Sequence, residues 1–412
     1  MRHSIYILLT FFPLLLLGQD YTSISGRIVD VETKEPLSFA TVNIKNTPKG
    51  VVANAQGEFE FTFPNKHLAD TVVFSIAGYQ SEKVLAQKLV TDNYLTIELV
   101  GKAIVLSEVV VTNKELTAWE ILELSLKKIP ENYPTDPFEF KAFYRDYKLE
   151  NDKCVSIFEA AYSAYDKGYS KVGNKHALKE KVVLNQVRKS LSVAYKAHTF
   201  KRMNVLKELI KLNDVRYQSR LLNKKNRLKY TYSMAGYEVI NDRLMYKIKV
   251  KEDWSYFIYV DVVTYAIPKI EMDFQWIKDI DVNEWVLGDT IKYNQTAATM
   301  LLEFQMIDGL YYPKYCSFTT NLEAMDATSN EMLFTAYLLQ EYMVTDIDFD
   351  PGVKPEKSSR MDPYEMIEKQ TFSYDPEFWK NYNTIKLHPR DEKLIRGLEK
   401  EMKLDDQFSK VN

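Results

Sequence analysis

The chain has 412 residues, is 46% hydrophobic and 27% charged, and carries a formal net charge of -3. That apolar content excludes intrinsic disorder over most of the length, and the length allows about two or three domains. Thirteen glycines and five histidines leave little material for a phosphate-cradling loop or a histidine-rich metal site.

The chain opens with Arg2 and an almost wholly apolar run, 5–17, that breaks at Gly18, Gln19 and Asp20. A positive start, a short apolar core and a small residue before a polar continuation predict a signal peptide, with cleavage between Gly18 and Gln19. The alternative is a buried terminal strand or helix. The run is too short to span a bilayer stably, and no cysteine follows it to carry a lipid. Export to the periplasm, or to the periplasmic face of the outer membrane, is the expected address. Nucleic acid is then not an expected partner, and the mature chain is either soluble or in peripheral contact with a membrane.

From 21 to 112 the hydrophobic period is two. Ala40, Val42 and Ile44 alternate with Thr41, Asn43 and Lys45; Phe59, Phe61 and Phe63 alternate with Glu58, Glu60 and Thr62; Val72, Phe74 and Ile76, then Leu95, Ile97 and Leu99, repeat the pattern. Turn formers separate these runs: Glu35-Pro36, 54–57, Pro64-Asn65 and Gly78. Short alternating strands at this spacing predict a small antiparallel sandwich.

Ser25-Gly26-Arg27-Ile28-Val29-Asp30, Glu35-Pro36-Leu37 with Ala40-Thr41-Val42, the turn 54–59 ending on Gly57 and Phe59, and Ile76-Ala77-Gly78-Tyr79 follow one another in an order that resembles the carboxypeptidase-regulatory-like domain. The resemblance covers about a quarter of the chain. It implies a transthyretin-like sandwich, an origin among exported Bacteroidetes proteins, and an accessory module with no catalytic residues to carry over.

Thr112 to Glu115 has the Thr-x-x-Glu form of a capping box, and Leu116, Trp119, Leu122, Leu126 and Ile129 follow at helical spacing up to Pro130. Strands are expected over 246–250, 257–261, 267–274, 299–304 and 311–319. Val263-Thr264-Tyr265 and Asp308-Gly309 mark two hairpins. A helix followed by meandering strands over 118–347 resembles the half-barrel of periplasmic lipoprotein carriers of the LolA type, which implies an acyl-chain cradle. Asp375 caps a helix starting at Pro376, and Pro389 starts another that puts Leu394, Ile395, Leu398 and Met402 on one face as docked core. The expected organisation is a mainly β chain: signal peptide 1–18, sandwich 19–113, helix plus antiparallel half-barrel 114–347, linker 348–374 and C-terminal helices 375–412.

Chemistry is sparse. His67, His176, His198 and His388 show no zinc-binding spacing, and neither a Gly-x-Ser-x-Gly elbow nor a Ser-x-x-Lys pair occurs. Asp261 with Glu271 or Asp273 admits an acid and base pair of glycosidase type, but acids at strand ends are more often solvated turn residues. Asp346, Asp348 and Asp350 lack the glycine and terminal glutamate of a calcium loop. No catalytic residue, metal or cofactor is therefore nominated. Cys154 and Cys316 admit a disulfide in an oxidising compartment; two buried free thiols are the alternative.

Charge is distributed unevenly. Residues 165–230 hold 18 Lys or Arg against 4 Asp or Glu, and 231–350 hold 8 against 20. The blocks either attract one another or leave a basic face for anionic headgroups or an acidic partner.

Two functions fit. In the first, the sandwich docks to an outer-membrane partner and the half-barrel binds an apolar or amphipathic ligand, a lipid or lipoprotein, in a cavity lined by Phe257, Tyr259, Ile270, Phe274 and Phe304 or by their alternating neighbours. In the second, the chain is a structural accessory subunit of an outer-membrane transport or secretion complex, with its second domain filled by its own side chains. A hydrolase is the remaining reading.

Overall fold

A computed structural model describes residues 21–91, 93–102, 116–169, 177–192, 204–251, 254–272, 284–287, 291–387, 389–400 and 402–410. The expected signal peptide, with Gly18 and Gln19, lies outside these residues, as do the box at 112–115, Asp273 and Phe274.

The first domain is a sandwich of two sheets. Strands β1 (Tyr21–Asp30), β4 (Glu58–Pro64) and β7 (Leu95–Leu99) form one sheet in the order β4-β1-β7; β2 (Thr41–Ile44), β3 (Gly50–Val52), β5 (Thr71–Ser75) and β6 (Glu82–Leu85) form the other in the order β3-β2-β5-β6. Period two does the work: Phe59, Phe61 and Phe63 are buried with Ile28, Val42, Ile44, Val72, Phe74 and Ile97 in one core. Gly57 is fixed by a close approach. It has φ +70, and a Cβ there would sit 2.4 Å from the Ile28 carbonyl oxygen. A single turn, α1 (Ala86–Leu89), precedes β7.

The connecting helix is α2 (Ala118–Lys127), followed by α3 (Ile129–Asn132). Its capping box is Thr117 with Glu120, five residues beyond the box expected at Thr112 and Glu115: the Thr117 side chain accepts from the Glu120 amide, and the Glu120 carboxylate accepts from the Thr117 amide.

The second domain is one large antiparallel sheet. Strands β8 (Phe138–Glu150), β9 (Lys153–Asp166), β10 (Lys181–Lys189), β11 (Thr231–Ile240), β12 (Arg243–Lys251), β13 (Ser255–Asp261), β14 (Lys269–Met272), β16 (Ile291–Ile307), β17 (Leu310–Asp326) and β18 (Met332–Asp348) run in the order β10-β9-β8-β18-β17-β16-β14-β13-β12-β11, with β15 (Glu284–Leu287) paired to β16. Both expected hairpins are present. The β16–β17 turn has positive φ at Asp308 (48°) and Gly309 (85°), the backbone that a two-residue hairpin needs. Strands from one end of the sheet to the other, with α2, α3, α4 (Val205–Lys211) and α5 (Asp214–Tyr217), bury side chains in one common core on the sheet's inner face, which gives the half-barrel.

Alternation along β8 assigns the two faces. Phe140, Ala142 and Tyr144 enter the inner core, whereas Phe143, with Ala161, Tyr315 and Met343, enters the core of the sandwich. The sandwich is therefore docked on the outer face of the chain's own sheet.

Cys154 and Cys316 are both free and buried, which corrects the possible disulfide. β9 and β17 are separated by β8 and β18, so the two thiols stand at least three strand spacings, more than ~14 Å, apart, while a disulfide needs Cα atoms within ~7 Å. Cys316 faces the inner core, and Cys154 packs with Ile395 and Leu398 on the other side.

Residues 348–374, expected as a linker, are a strap. Met361 donates its amide to the Val182 carbonyl at 2.8 Å, Val187 donates to Ser373 at 2.8 Å, and Met361 and Ile367 are buried. The strap covers the β10 edge, which would otherwise present unpaired backbone groups. Beyond it come α6 (Pro376–Lys380), capped by Asp375 as expected, α7 (Pro389–Ile395) and α8 (Leu404–Lys410).

Candidate functional site

The residues expected to line a cavity lie on two different faces. Ile270 and Phe304 are in the inner core. Phe257 and Tyr259 are on the outer face with Ile240, Met245 and Ala77, and Tyr256, Ile258 and Val260 hold the inner positions of that strand. A one-residue register difference flips a strand's side chains, and sequence alternation leaves that register open.

The inner face is occupied by α4, α5 and the loop that follows. Leu206, Leu209, Ile210, Val215, Leu221 and Leu222 are buried there. Local chemistry fixes this unit. Asn204 caps α4 by accepting from the Lys207 amide at 3.0 Å, and its Nδ2 donates to the Asp362 and Glu365 carbonyls of the strap. Asn213 caps α5, and fully buried Asp214 ties the loop: Oδ1 accepts from the Ser219 and Arg220 amides and Oδ2 from the Leu222 amide.

Two buried acids of the sheet anchor this unit. Arg216 makes a forked pair with Asp166, Nε to Oδ2 and Nη2 to Oδ1, both at 2.8 Å. The Tyr217 hydroxyl donates to Glu180 Oε2 at 2.5 Å. Burial, reinforced by the Asp166 charge, raises the Glu180 carboxyl to about 7. A carboxyl poised there suits proton transfer in an open cleft. Glu180 is only 4% exposed and engaged by Tyr217, so the geometry makes it an anchor.

The outer face holds the second charged cluster. Arg145 donates to Glu159 at 2.7 Å, to Glu341 at 3.1 Å and to the Ile385 carbonyl at 2.8 Å, while Arg188 donates to the other oxygen of Glu159 and Tyr315 to the other oxygen of Glu341. Phe39 of the sandwich stacks on Tyr315 with ring centroids 6.1 Å apart. Lys49 pairs with Asp346 at 3.1 Å, and Asn383 exchanges two hydrogen bonds with the Thr62 backbone, sealing the β4 edge as a strand would. Beside this seam, a cavity of about 20 Å³, room for roughly one water, is lined by Phe39, Thr41 and Ser75 of the sandwich and by Lys269, Glu303 and Lys314 of the sheet. Burial lowers the Lys314 ammonium to about 8 and raises Glu303, whose buried Oε2 has no hydrogen-bond partner among the described residues.

Among the described residues, the acids considered for hydrolysis, Asp261 and Glu271, are structural. Asp261 pairs with Arg243 and accepts from the Val263 and Thr264 amides; Glu271 pairs with Lys269 and accepts from Tyr259. These partners outweigh burial and hold both carboxyls below their ordinary range, the reverse of what a general acid needs. Among the described residues no group of three or more His, Cys, Asp or Glu is placed to hold a metal. In the basic block, Arg188 and Arg216 pair with Glu159 and Asp166, neither of which lies in the acidic block 231–350.

Sequence reasoning passed over Arg145, Glu159, Glu180, Arg216 and Glu341. A usable signal was present for two of them: Glu159 and Glu341 are charges inside otherwise largely apolar or aromatic strand runs, where a charge must be paired to be buried.

Residues 24–111 match the family model of the CarboxypepD_reg-like domain. No curated protein matches the chain. Among solved structures, the chain is similar to a DUF1329 family protein from Desulfovibrio piger (11% identity, 60% of this chain and 100% of that one, TM-score 0.27). It is also similar to a putative outer membrane lipoprotein-sorting protein domain from Vibrio parahaemolyticus (9%, 57% and 95%, TM-score 0.25) and to a LolA superfamily protein from Nitrosomonas europaea (12%, 60% and 99%, TM-score 0.21). No helix among the described residues is long and apolar enough to cross a membrane.

Proposed function

We propose that this chain is a non-catalytic protein of the bacterial cell envelope, acting as an accessory or scaffolding subunit that docks to an outer-membrane partner. The observation that carries this reading is that the chain's own residues cover both faces of its large sheet: the 204–222 unit lies on the inner face, and the sandwich with the C-terminal segment lies on the outer face. Export rests on the apolar run 5–17 before Gly18. The absence of catalysis is supported by Asp261 and Glu271, the two weighed acids among the described residues, which are spent on Arg243 and Lys269.

Carriage of a lipid or lipoprotein, the other reading of a half-barrel, requires the 204–222 unit to leave, which strands the buried charge of Asp166 and removes the Tyr217 partner of Glu180. Removing one partner of such a pair costs about 3–5 kcal/mol, which argues for a resident filling. Native mass spectrometry of the protein purified gently from its own envelope tests the choice. The accessory reading predicts the bare chain mass, alone or with a membrane protein partner. A stoichiometric lipid adduct would replace it with the carrier reading.

A further inference from the structure

Three separate stretches bring cations together at one rim of the half-barrel. Lys167 follows the end of β9, Lys181 opens β10, and the β9–β10 register places Lys181 opposite Tyr165. The strap closes on the same spot: the Met361 amide bonds to the Val182 carbonyl, which sets Arg360 beside Lys181, and the Arg360 guanidinium donates twice to the Pro355 carbonyl, at 2.9 and 2.6 Å, which draws Lys354 in. None of these four cations is within ion-pair distance of a carboxylate among the described residues. Elsewhere in the fold, Arg145, Arg188, Arg216 and Arg243 all take one. After burial, Arg360, Lys167 and Lys354 together hold the Lys181 ammonium down, so the like charges feel one another.

Acids are near but otherwise placed. Glu180 lies buried beneath and is engaged by Tyr217, while Asp350 and Glu356 are exposed on the strap, where Lys357 adds a further cation. The strap also presents apolar side chains outward. Val353, in the turn Pro351-Gly352-Val353-Lys354-Pro355, is 90% exposed, and Tyr364 is 79% exposed. A soluble acidic protein would need an apolar pocket shaped for the valine beside carboxylates set for the lysine. A bilayer gains from both, because anionic headgroups take the cations and the interface takes the apolar tip.

We propose that Lys167, Lys181, Lys354 and Arg360, with Val353 at their edge, form a docking surface for a membrane rich in anionic phospholipid. This inference stands apart from the accessory reading, which survives its failure; if both hold, the cluster sets the face that the protein turns to the bilayer.

The test is co-sedimentation of the full chain with phosphatidylcholine vesicles, with and without phosphatidylglycerol, at low and high salt. Parent and variants share every other membrane-binding element, the leader included, so differences between them isolate the cluster. Lys167 and Lys354 are exposed, so Lys167→Gln with Lys354→Gln leaves the fold intact, which circular dichroism checks. The proposal predicts that each charge removed weakens binding to the anionic vesicles about fivefold, and the pair by roughly twenty- to thirtyfold, with no change on phosphatidylcholine. Val353→Asp weakens it as well, and high salt removes the difference between parent and variants. Equal binding by parent and double variant would overturn the proposal. So would binding to soluble poly-glutamate, but not to vesicles, that shows the same dependence on the two lysines; that result would assign the cluster to an acidic protein.

Discussion

The Arg145 guanidinium meets the Glu159 carboxylate at 2.7 Å with each side chain 3% exposed, and the same guanidinium reaches Glu341 at 3.1 Å. One arginine thus ties β8 to its two neighbours, β9 and β18, beneath the docked sandwich. Removing it leaves buried Glu341 without a cation and Glu159 with Arg188 alone. Arg145→Leu is expected to lower the unfolding free energy by about 3–5 kcal/mol, read from the urea midpoint, and a loss below ~1 kcal/mol would contradict the assignment.

Glu180 makes stability depend on pH. Its folded carboxyl titrates near 7, above the ordinary glutamate value of ~4.3, so the folded state holds a proton that the unfolded state releases. Stability from this group is full below about pH 4 and is lost as pH rises through 7, by an amount on the order of 3–4 kcal/mol. Glu303, Glu341 and Asp146 are also raised by burial and act in the same direction, so the difference between parent and variant is the quantity to read. Glu180→Gln is expected to flatten the thermal midpoint between pH 5 and 7 relative to the parent. Parallel profiles would contradict the anchor.

Tyrosine hydroxyls on the inner face divide into two kinds. The Tyr133 hydroxyl donates to the Ile267 carbonyl at 2.8 Å and accepts from the Ile267 amide at 2.9 Å. Those of Tyr144 and Tyr162 are buried with no hydrogen-bond partner among the described residues. Tyr133→Phe should therefore cost about 1–3 kcal/mol, whereas Tyr162→Phe should be neutral or stabilising by up to ~1 kcal/mol. Equal losses in the two variants would show that Tyr162 has a partner, such as an ordered water.

Both cysteines should be reduced in the purified chain. Alkylation of the denatured, unreduced protein is expected to add two labels, one each on Cys154 and Cys316. An unlabelled chain that takes both labels only after reduction would contradict the strand order that separates them.

Much of the architecture is legible because period two with turn formers is a local signal. β2, β4, β5 and β7, the Asp308-Gly309 hairpin and the Asp375 cap stand where residue patterns put them. What failed depends on distant chain. The cap of α2 is Thr117 with Glu120, a second Thr-x-x-Glu box that the sequence pattern passed over, while the box at 112–115 lies outside the described residues. The faces of Phe257 and Tyr259 follow from pairing with β12 and from the docked sandwich, which no spacing reveals. The strap reads as a linker because its apolar anchors, Met361 and Ile367, are single residues that gain meaning only from the β10 edge they cover.

The central claim is that residues 204–222 are a permanent part of the half-barrel core. Native-state hydrogen exchange of the Leu209, Ile210 and Tyr217 amides measures it most directly. These amides are expected to exchange only with global unfolding, at the same free energy as the β17 and β18 ladder. Exchange through a local opening several kcal/mol cheaper, with that ladder still protected, would contradict it and identify the unit as a displaceable plug.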